Sequence, residues 1–139
     1  MGAKMTDDME MKIRHLEMIQ GVITRMSSNS FLLKGWAITL MAGIFAITEE
    51  RNNCCLLVYL LIILFWLLDS MYLQFERQFK VLYKNIAEGK QSEPAFKIYR
   101  PAPQWEEHTK YIQALYSRTE ILFYVALLMS NAIWQLLVE

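Results

Sequence analysis

Residues 54–68 read CCLLVYLLIILFWLL, with no charge, no proline and no glycine. The hydrocarbon core of a bilayer is about 30 Å thick, and an α-helix needs about 20 predominantly apolar residues to cross it. A chain of 139 residues is too small to enclose this run and two further apolar runs in a soluble core. The stretch therefore predicts an all-α integral membrane protein.

Two further apolar runs, at 31–48 and 121–138, lie on either side of this segment. Each is nearly long enough to span a bilayer, although Lys34 interrupts the first and polar residues interrupt the second. The run at 121–138 also fits the alternative of a buried helix in a soluble domain. The first run begins after too many charged residues for a cleaved signal peptide. We therefore expect three membrane spans.

Basic residues are distributed unevenly around these spans. Thirteen of the fourteen lysines and arginines precede or begin the first span or lie between the second and third, whereas Arg51 lies in the short first loop. Cytoplasmic segments of membrane proteins carry the excess of basic residues. The pattern predicts a multi-pass plasma-membrane protein with its N-terminus in the cytoplasm and its C-terminus outside.

The chain is expected to form one membrane domain built from long helices. One helix, which contains the first span, is predicted over 6–48, and another, which contains the second span, over 53–88. Both segments lack proline and repeat apolar residues every three to four positions, as long helices do. Together they would form a long antiparallel hairpin that extends into the cytoplasm. A cytoplasmic loop covers 89–104, and an interfacial helix leads into the third span over 105–138. The sequence SSNS at 27–30 either caps a separate helix or lies inside a continuous one, and the flanking patterns favour continuity.

Lys34 is the charge that this hairpin has to accommodate. If the hairpin is centred on its short loop, Lys34 lies level with Asp69 near the cytoplasmic end of both spans. Opposite charges at one depth can pair as an intramembrane charge pair. The alternative is that Lys34 reaches the lipid headgroups while Asp69 marks the end of its span. The same register brings Arg25 to Glu76, beside Arg77, as a cytoplasmic contact worth about 0–1 kcal/mol.

Small and polar side chains on two spans indicate helix association. Gly35, Thr39 and Gly43 are four positions apart and allow close approach of another helix, either the second span or a second copy of the chain. On the third span, Asn131 and Gln135 share a face. Such residues hydrogen-bond between helices or, in a ring of copies, line a pore. Both patterns are compatible with contacts within one chain or between copies, and we expect a homo-oligomer in a lipid bilayer.

Catalytic and ligand-binding patterns are weak. His15 and His108 are far apart and have no metal-binding spacing, and the adjacent Cys54 and Cys55 lack the CxxC spacing. We predict no enzyme activity, no cofactor and no metal. The loop between the second and third spans is basic and aromatic, but it has mixed charge and no phosphate-binding glycine motif, which disfavours nucleic acid as a partner.

Two longer stretches carry a resemblance. HLEMIQGVITRMSSNSFLLKGW at 15–36 and FWLLDSMYLQFERQFKVLY at 65–83 resemble a family of small, largely uncharacterised bacterial membrane proteins. Its members share the patterns LExIQxVIxRMxxNSFxLKGW and FWxLDxxYLxxERxFxxLY, which include the positions of Lys34 and Asp69. The architecture is also similar to two-helix membrane effectors of bacterial antiphage systems, a likeness of architecture alone.

The resemblance and the three spans imply an oligomeric effector of the bacterial inner membrane that perturbs or permeabilises the membrane in phage defence or a stress response. The alternative is a membrane anchor or adaptor whose cytoplasmic helices recruit a soluble partner protein. A pore requires several copies and a polar wall, whereas an adaptor requires only an exposed cytoplasmic face.

Overall fold

A computed structural model describes residues 2–47, 51–89 and 110–137. This part of the chain forms the helices α1 (Gly2–Ile47), α2 (Arg51–Ala87), α3 (Tyr111–Leu115) and α4 (Arg118–Leu137). It contains no strand, and the predicted all-α class is confirmed. Most of the loop predicted at 89–104, together with His108, lies outside the described residues.

Three of these helices, α1, α2 and α4, are long and apolar enough to cross a membrane, as judged by length and composition. The predicted number of candidate spans is therefore confirmed. At 1.5 Å per residue, the 46 residues of α1 extend for about 69 Å and the 37 residues of α2 for about 56 Å. Both lengths exceed the roughly 30 Å of a hydrocarbon core.

The ends and continuity of the long helices follow from local sequence. Helix α1 is continuous through 27–30, so the SSNS sequence begins no separate helix, as the flanking patterns favoured. After the last residue of α2, the amide of Glu88 donates to the Lys84 carbonyl at 2.9 Å and that of Gly89 to the Ile86 carbonyl at 3.1 Å. Gly89 has φ +70°, the left-handed conformation in which glycine commonly ends a helix.

The N-terminal half of α1 packs on the C-terminal half of α2. Ile19, Ile23 and Ile86 are buried in one apolar cluster. Partly buried side chains surround them: Leu16, Phe79, Leu82 and Tyr83. Except for Tyr83, these residues belong to the apolar repeats of three to four positions that the sequence predicted along the two helices. Met9, which begins the predicted apolar repeat of α1, is 66% exposed and lies outside this cluster.

Helix α4 joins α1 and α2 in a second apolar cluster. Each helix contributes two buried side chains to this cluster: Ala37 and Met41 from α1, Val58 and Ile62 from α2, and Tyr124 and Leu127 from α4. Stacked rings of Phe45 and Trp134, 5.3 Å apart between centroids, add a contact between α1 and α4. We call this part of the molecule the three-helix core.

Large apolar side chains cover the outside of the three-helix core. Phe31 on α1, Leu56 on α2 and Leu122 on α4 are each at least 75% exposed, and many neighbouring leucines and isoleucines are also exposed. Soluble monomers rarely expose contiguous apolar patches of large size. The surface is suited to contact with lipid or with another apolar surface.

The segment predicted over 105–138 as an interfacial helix and third span consists of two helices in its described part. Helix α3 has five residues and ends at Leu115, and α4 begins at Arg118. The amide of Ser117 donates to the Ala114 carbonyl at 3.0 Å, and the amide of Ile121 donates to the Ser117 carbonyl at 2.9 Å. Only Tyr116 and Ser117 separate α3 from α4.

Candidate functional site

Charged side chains from α1, α2 and α4 meet inside the three-helix core. Lys34 Nζ forms an ion pair with the Asp69 carboxylate and lies 2.9 Å from Glu120 Oε1. The side chains of Asp69 and Glu120 are 0% and 3% exposed, whereas that of Lys34 is 21% exposed. We call these three residues the charge cluster.

The ammonium group of Lys34 has a partner for each of its N–H groups. It donates to Ser30 Oγ at 3.1 Å, one turn earlier on α1, as well as to Asp69 and Glu120. An ammonium carries three donors, so its hydrogen-bonding capacity is fully used. It also lies 5.8 Å from the centroid of the Phe123 ring, where the ring quadrupole attracts a cation.

Asp69 is the best-satisfied carboxylate of the charge cluster. Its Oδ1 accepts a hydrogen bond from Ser30 Oγ, and its Oδ2 accepts from Lys34 and, at 3.0 Å, from the Tyr124 hydroxyl. Tyr124 also lies 3.3 Å from the Phe65 carbonyl and is fully buried. Three donors from two helices therefore hold a fully buried carboxylate, as an ionised group in an apolar interior requires.

Glu120 is less well satisfied. Its Oε1 accepts from Lys34, but its buried Oε2 has no hydrogen-bond partner within the described part of the chain. The Asp69 and Glu120 carboxyl groups both contact the same Lys34 ammonium group. One cation thus serves two adjacent carboxyl groups.

Helix α3 is fastened to α2 beside the charge cluster by three side chains. Trp66 Nε1 donates to the Leu115 carbonyl at 3.2 Å, and the Tyr111 hydroxyl donates to the Leu67 carbonyl at 2.9 Å. Arg77 donates to the Gln113 carbonyl at 3.1 Å and to Ser117 Oγ at 3.0 Å. The start of α4 is therefore tied to α2 through α3 and Ser117, and to α1 through the contact of Glu120 with Lys34.

The structure brings some of the residues singled out from the sequence together and separates others. Lys34 and Asp69 are in direct contact. Arg25 is exposed and, among the described residues, forms no ion pair with Glu76, which pairs with Lys80 on its own helix. Arg25 follows the buried Ile23 by two positions, which turns it about 200° around α1, away from α2. The expected contact between Arg25 and Glu76 is therefore wrong for this arrangement.

Gly35, Thr39 and Gly43 lie on the outer surface of α1. A Cβ atom added at either glycine would meet nothing within 4 Å, and Thr39 Oγ1 donates to the Gly35 carbonyl at 2.9 Å. Ala37 and Met41 face α2 instead. Of the two expected partners of the small residues, α2 of the same chain is excluded in this arrangement, and a second copy stays a prediction.

Asn131 and Gln135 lie on the inner side of α4. Asn131 is fully buried, and neither its Oδ1 nor its Nδ2 has a hydrogen-bond partner among residues 2–47, 51–89 and 110–137. The buried Nε2 of Gln135 has no partner there either. Asn131 therefore faces neither lipid nor an open channel in the single chain, and its expected hydrogen bond to another helix is not formed.

Glu120 was not predicted as a member of the site, and neither Ser30 nor Tyr124 was connected with the Lys34–Asp69 pair, although Tyr124 was placed on one face of the third span with Asn131 and Gln135. Glu120, Tyr124, Leu127 and Asn131 follow one another at steps of four, three and four, and all are buried. This is the spacing of residues on one helix face. Glu120, the acidic residue directly before the third apolar run, was therefore the sequence signal for the buried face of α4.

The charge cluster is not accompanied by a metal-binding group in the described part of the chain. No group of three or more histidine, cysteine, aspartate or glutamate side chains that could hold a metal occurs in the part of the chain that the structure describes. The absence of enzyme activity stays a prediction. Comparisons with known protein families, with curated proteins and with solved structures find no match.

Proposed function

We propose that this chain is an oligomeric effector of the bacterial inner membrane that makes the membrane permeable in phage defence or a stress response. The observation that carries the proposal is the buried, unpartnered polar face of α4 at Asn131 and Gln135. Each unsatisfied buried polar group costs about 1–3 kcal/mol. The closed three-helix core thus contains a polar surface that would be better satisfied against water or against another copy.

Membrane insertion is supported by three features of the chain. The three candidate spans carry large exposed apolar side chains on their outer surfaces. The charge cluster brings the entrances of all three spans to one level, as charges near an interface require. The distribution of basic residues favours a hairpin of α1 and α2 with both cytoplasmic extensions on one side, the N-terminus inside and the C-terminus outside.

A route for a cytoplasmic trigger runs through α3. This short helix precedes α4 directly and is held to α2 by the side chains of Trp66, Tyr111 and Arg77. A trigger that displaces α3 would pull on the start of α4. Rotation of α4 would then turn Asn131 and Gln135 out of the core, and several copies could bring these faces together around water.

The second candidate function, a membrane adaptor, is favoured by a different observation. Near its N-terminus α1 exposes large apolar side chains, with exposures between 45% and 66%: Met9, Met11, Ile13 and Met18. Flexible methionine-rich surfaces suit protein partners. In this alternative the membrane helices only anchor the chain, and a soluble protein binds the N-terminal part of α1.

Dye release from vesicles tests the effector proposal. Purified protein is reconstituted at increasing protein-to-lipid ratios, and the double variant Asn131→Leu with Gln135→Leu is compared with Ser130→Leu, an exposed position on the same helix. We expect release with the wild-type chain and the Ser130 variant, and strongly reduced release with the double variant.

Two results would oppose permeabilisation: no release at any ratio, or equal release by the double variant. The adaptor alternative predicts no release together with a stable complex with one soluble protein. That complex would be lost when Met9 and Met11 are replaced by Ser.

A further inference from the structure

The charge cluster has one cation for two carboxyl groups. With Lys34, Asp69 and Glu120 all ionised, it would carry a net charge of −1 inside the three-helix core. An uncompensated charge in a medium of low dielectric constant is strongly unfavourable, and two adjacent carboxylates disfavour the ionisation of one another. Binding of one positive charge would make the cluster neutral.

The hydrogen bonds distinguish the two carboxyl groups. Asp69 accepts hydrogen bonds from three donors: Ser30, Lys34 and Tyr124. Glu120 accepts only from Lys34, and its Oε2 is buried without a donor. A neutral carboxyl needs fewer donors than a carboxylate, and as a protonated acid it can itself donate a hydrogen bond. The extra positive charge is therefore best placed at Glu120.

Other polar groups facing Glu120 do not supply this charge. Helix α1 contributes Lys34, already counted, and the neutral Ser30; α4 contributes the neutral Tyr124. On α2, the next cation beyond Asp69 is Arg77, which is engaged with the Gln113 carbonyl and Ser117 Oγ. No second cation contacts either carboxyl group among the described residues.

We propose that Glu120 is a proton-binding site: its carboxyl carries a proton at neutral pH and forms, with Lys34 and Asp69, a cluster without net charge. The ligand is a single proton that binds at Oε2, the Glu120 oxygen that has no hydrogen-bond partner among the described residues. This site does not depend on permeabilising activity, because it requires only the folded three-helix core.

Release of this proton would act on α4. An ionised Glu120 leaves a net negative charge in the charge cluster and adds repulsion with Asp69, which contacts the same ammonium group. A proton that the folded state holds and the unfolded state releases makes stability fall as pH rises. The start of α4 would then be held less tightly at alkaline pH than at neutral pH.

Infrared spectroscopy of the purified protein tests the site directly. A protonated carboxylic acid has a carbonyl stretch that an ionised carboxylate lacks. We expect such a band at neutral pH in the wild-type chain, and we expect it to disappear at alkaline pH and to be absent from Glu120→Gln. Glu10→Gln, which alters an exposed carboxylate paired with Arg14, should leave the band unchanged.

Asp69→Asn distinguishes a charge-balanced site from a glutamate that is protonated only because it is buried. With Asp69 neutralised, Lys34 balances an ionised Glu120, so we expect the band to disappear although Glu120 is present. Persistence of the band in this variant would contradict the charge balance. A wild-type spectrum without the band at neutral pH would overturn the proposal. Loss of the band in sodium or potassium chloride but not in choline chloride would also overturn it, because a metal cation would then occupy the site.

Thermal unfolding provides a second measurement that does not need the band. Glutamine is a close neutral counterpart of protonated glutamate, so Glu120→Gln should fold at neutral pH with an unfolding midpoint close to that of the wild type. The wild-type midpoint should fall as pH rises above neutral, and the midpoint of the variant should fall less. A variant that fails to fold at neutral pH, or that retains the full pH dependence, would contradict the proposal.

Discussion

Two polar regions lie inside the same three-helix core and differ in how their polar atoms are satisfied. In the charge cluster, Lys34 uses all its donors, and Asp69 accepts from three groups. Toward the other end of α4, Asn131 and Gln135 bury amide atoms without any partner in the described chain. Breaking a buried ion pair costs about 3–5 kcal/mol, whereas an unsatisfied polar group costs about 1–3 kcal/mol.

The comparison indicates which end of α4 is more firmly held. The charge cluster joins α4 to both other helices at its start, and the unpartnered amides destabilise its other end. If α4 moves when the membrane becomes permeable, we expect movement at the end that contains Asn131.

Replacing Lys34 by Met should produce the largest effect. The substitution leaves Asp69 buried without its cation, which should lower the free energy of unfolding by about 3–5 kcal/mol. Unfolding in mixed micelles by increasing fractions of denaturing detergent measures this change. Lys80→Met is the matched control, because Lys80 forms an exposed pair with Glu76 worth about 0–1 kcal/mol. Equal effects of the two substitutions would contradict a structural role for the charge cluster.

Replacing Tyr124 by Phe should have an intermediate effect. The variant retains the ring contacts with Trp66 and Phe123 but removes the hydroxyl that donates to Asp69. Hydrogen bonds to charged groups contribute about 1.5–3 kcal/mol, so the free energy of unfolding should fall by that amount. Tyr111→Phe removes a hydroxyl that donates to a neutral carbonyl and should cost about 0.5–1.5 kcal/mol. A smaller loss of unfolding free energy for Tyr124→Phe than for Tyr111→Phe would contradict a stabilising hydrogen bond from Tyr124 to Asp69.

Replacing Asn131 by Leu should change stability in the opposite direction. Leucine has a similar volume and removes two unpartnered polar atoms from the core, which should stabilise the folded chain by about 1–3 kcal/mol. Ser130→Leu, at the exposed neighbouring position, should change the free energy of unfolding by less than about 0.5 kcal/mol. A destabilised Asn131 variant would mean that its amide has a partner in the functional protein.

Replacing Gly35 and Gly43 by Ala should have the smallest effect on the single chain. Open space surrounds both positions, so the added methyl groups meet no obstacle and each should favour the helix by up to about 1 kcal/mol. If this face contacts a second copy, self-association should weaken, as energy transfer between labelled chains in vesicles would measure. Gly21→Ala, also surrounded by open space, is the control. Unchanged association would exclude the glycine face as an interface.

The sequence predicted the elements of the fold better than their rotation. Chain length, apolar runs and the lack of proline were sufficient for the three long helices. The depth of Lys34 relative to Asp69 followed from the short connection between α1 and α2, because a short loop leaves the register little freedom. Glu120 was missed because the long segment before α4 does not fix the depth of the third helix.

Rotation about the helix axis explains the other differences. The sequence suggested two packing faces on α1, one at Gly35 and Gly43 and one containing Lys34. Ala37 and Met41 follow Lys34 by three and seven positions and share its face, whereas the glycines lie on another. Once Lys34 is assigned to Asp69, the glycine face must point away from α2. A charged residue with a buried partner thus defines a helix face more reliably than small residues do.

Labelling of position 131 with a water-soluble thiol reagent is the most direct test of the central claim that the buried polar face of α4 becomes exposed when the membrane leaks. Cysteine would replace Asn131 or, as a control on the exposed face of α4, Ile133, in a chain in which Cys54 and Cys55 are serine. We predict labelling at position 131 only at protein-to-lipid ratios that release dye, with no labelling at position 133. Dye release without labelling at position 131 would contradict the account.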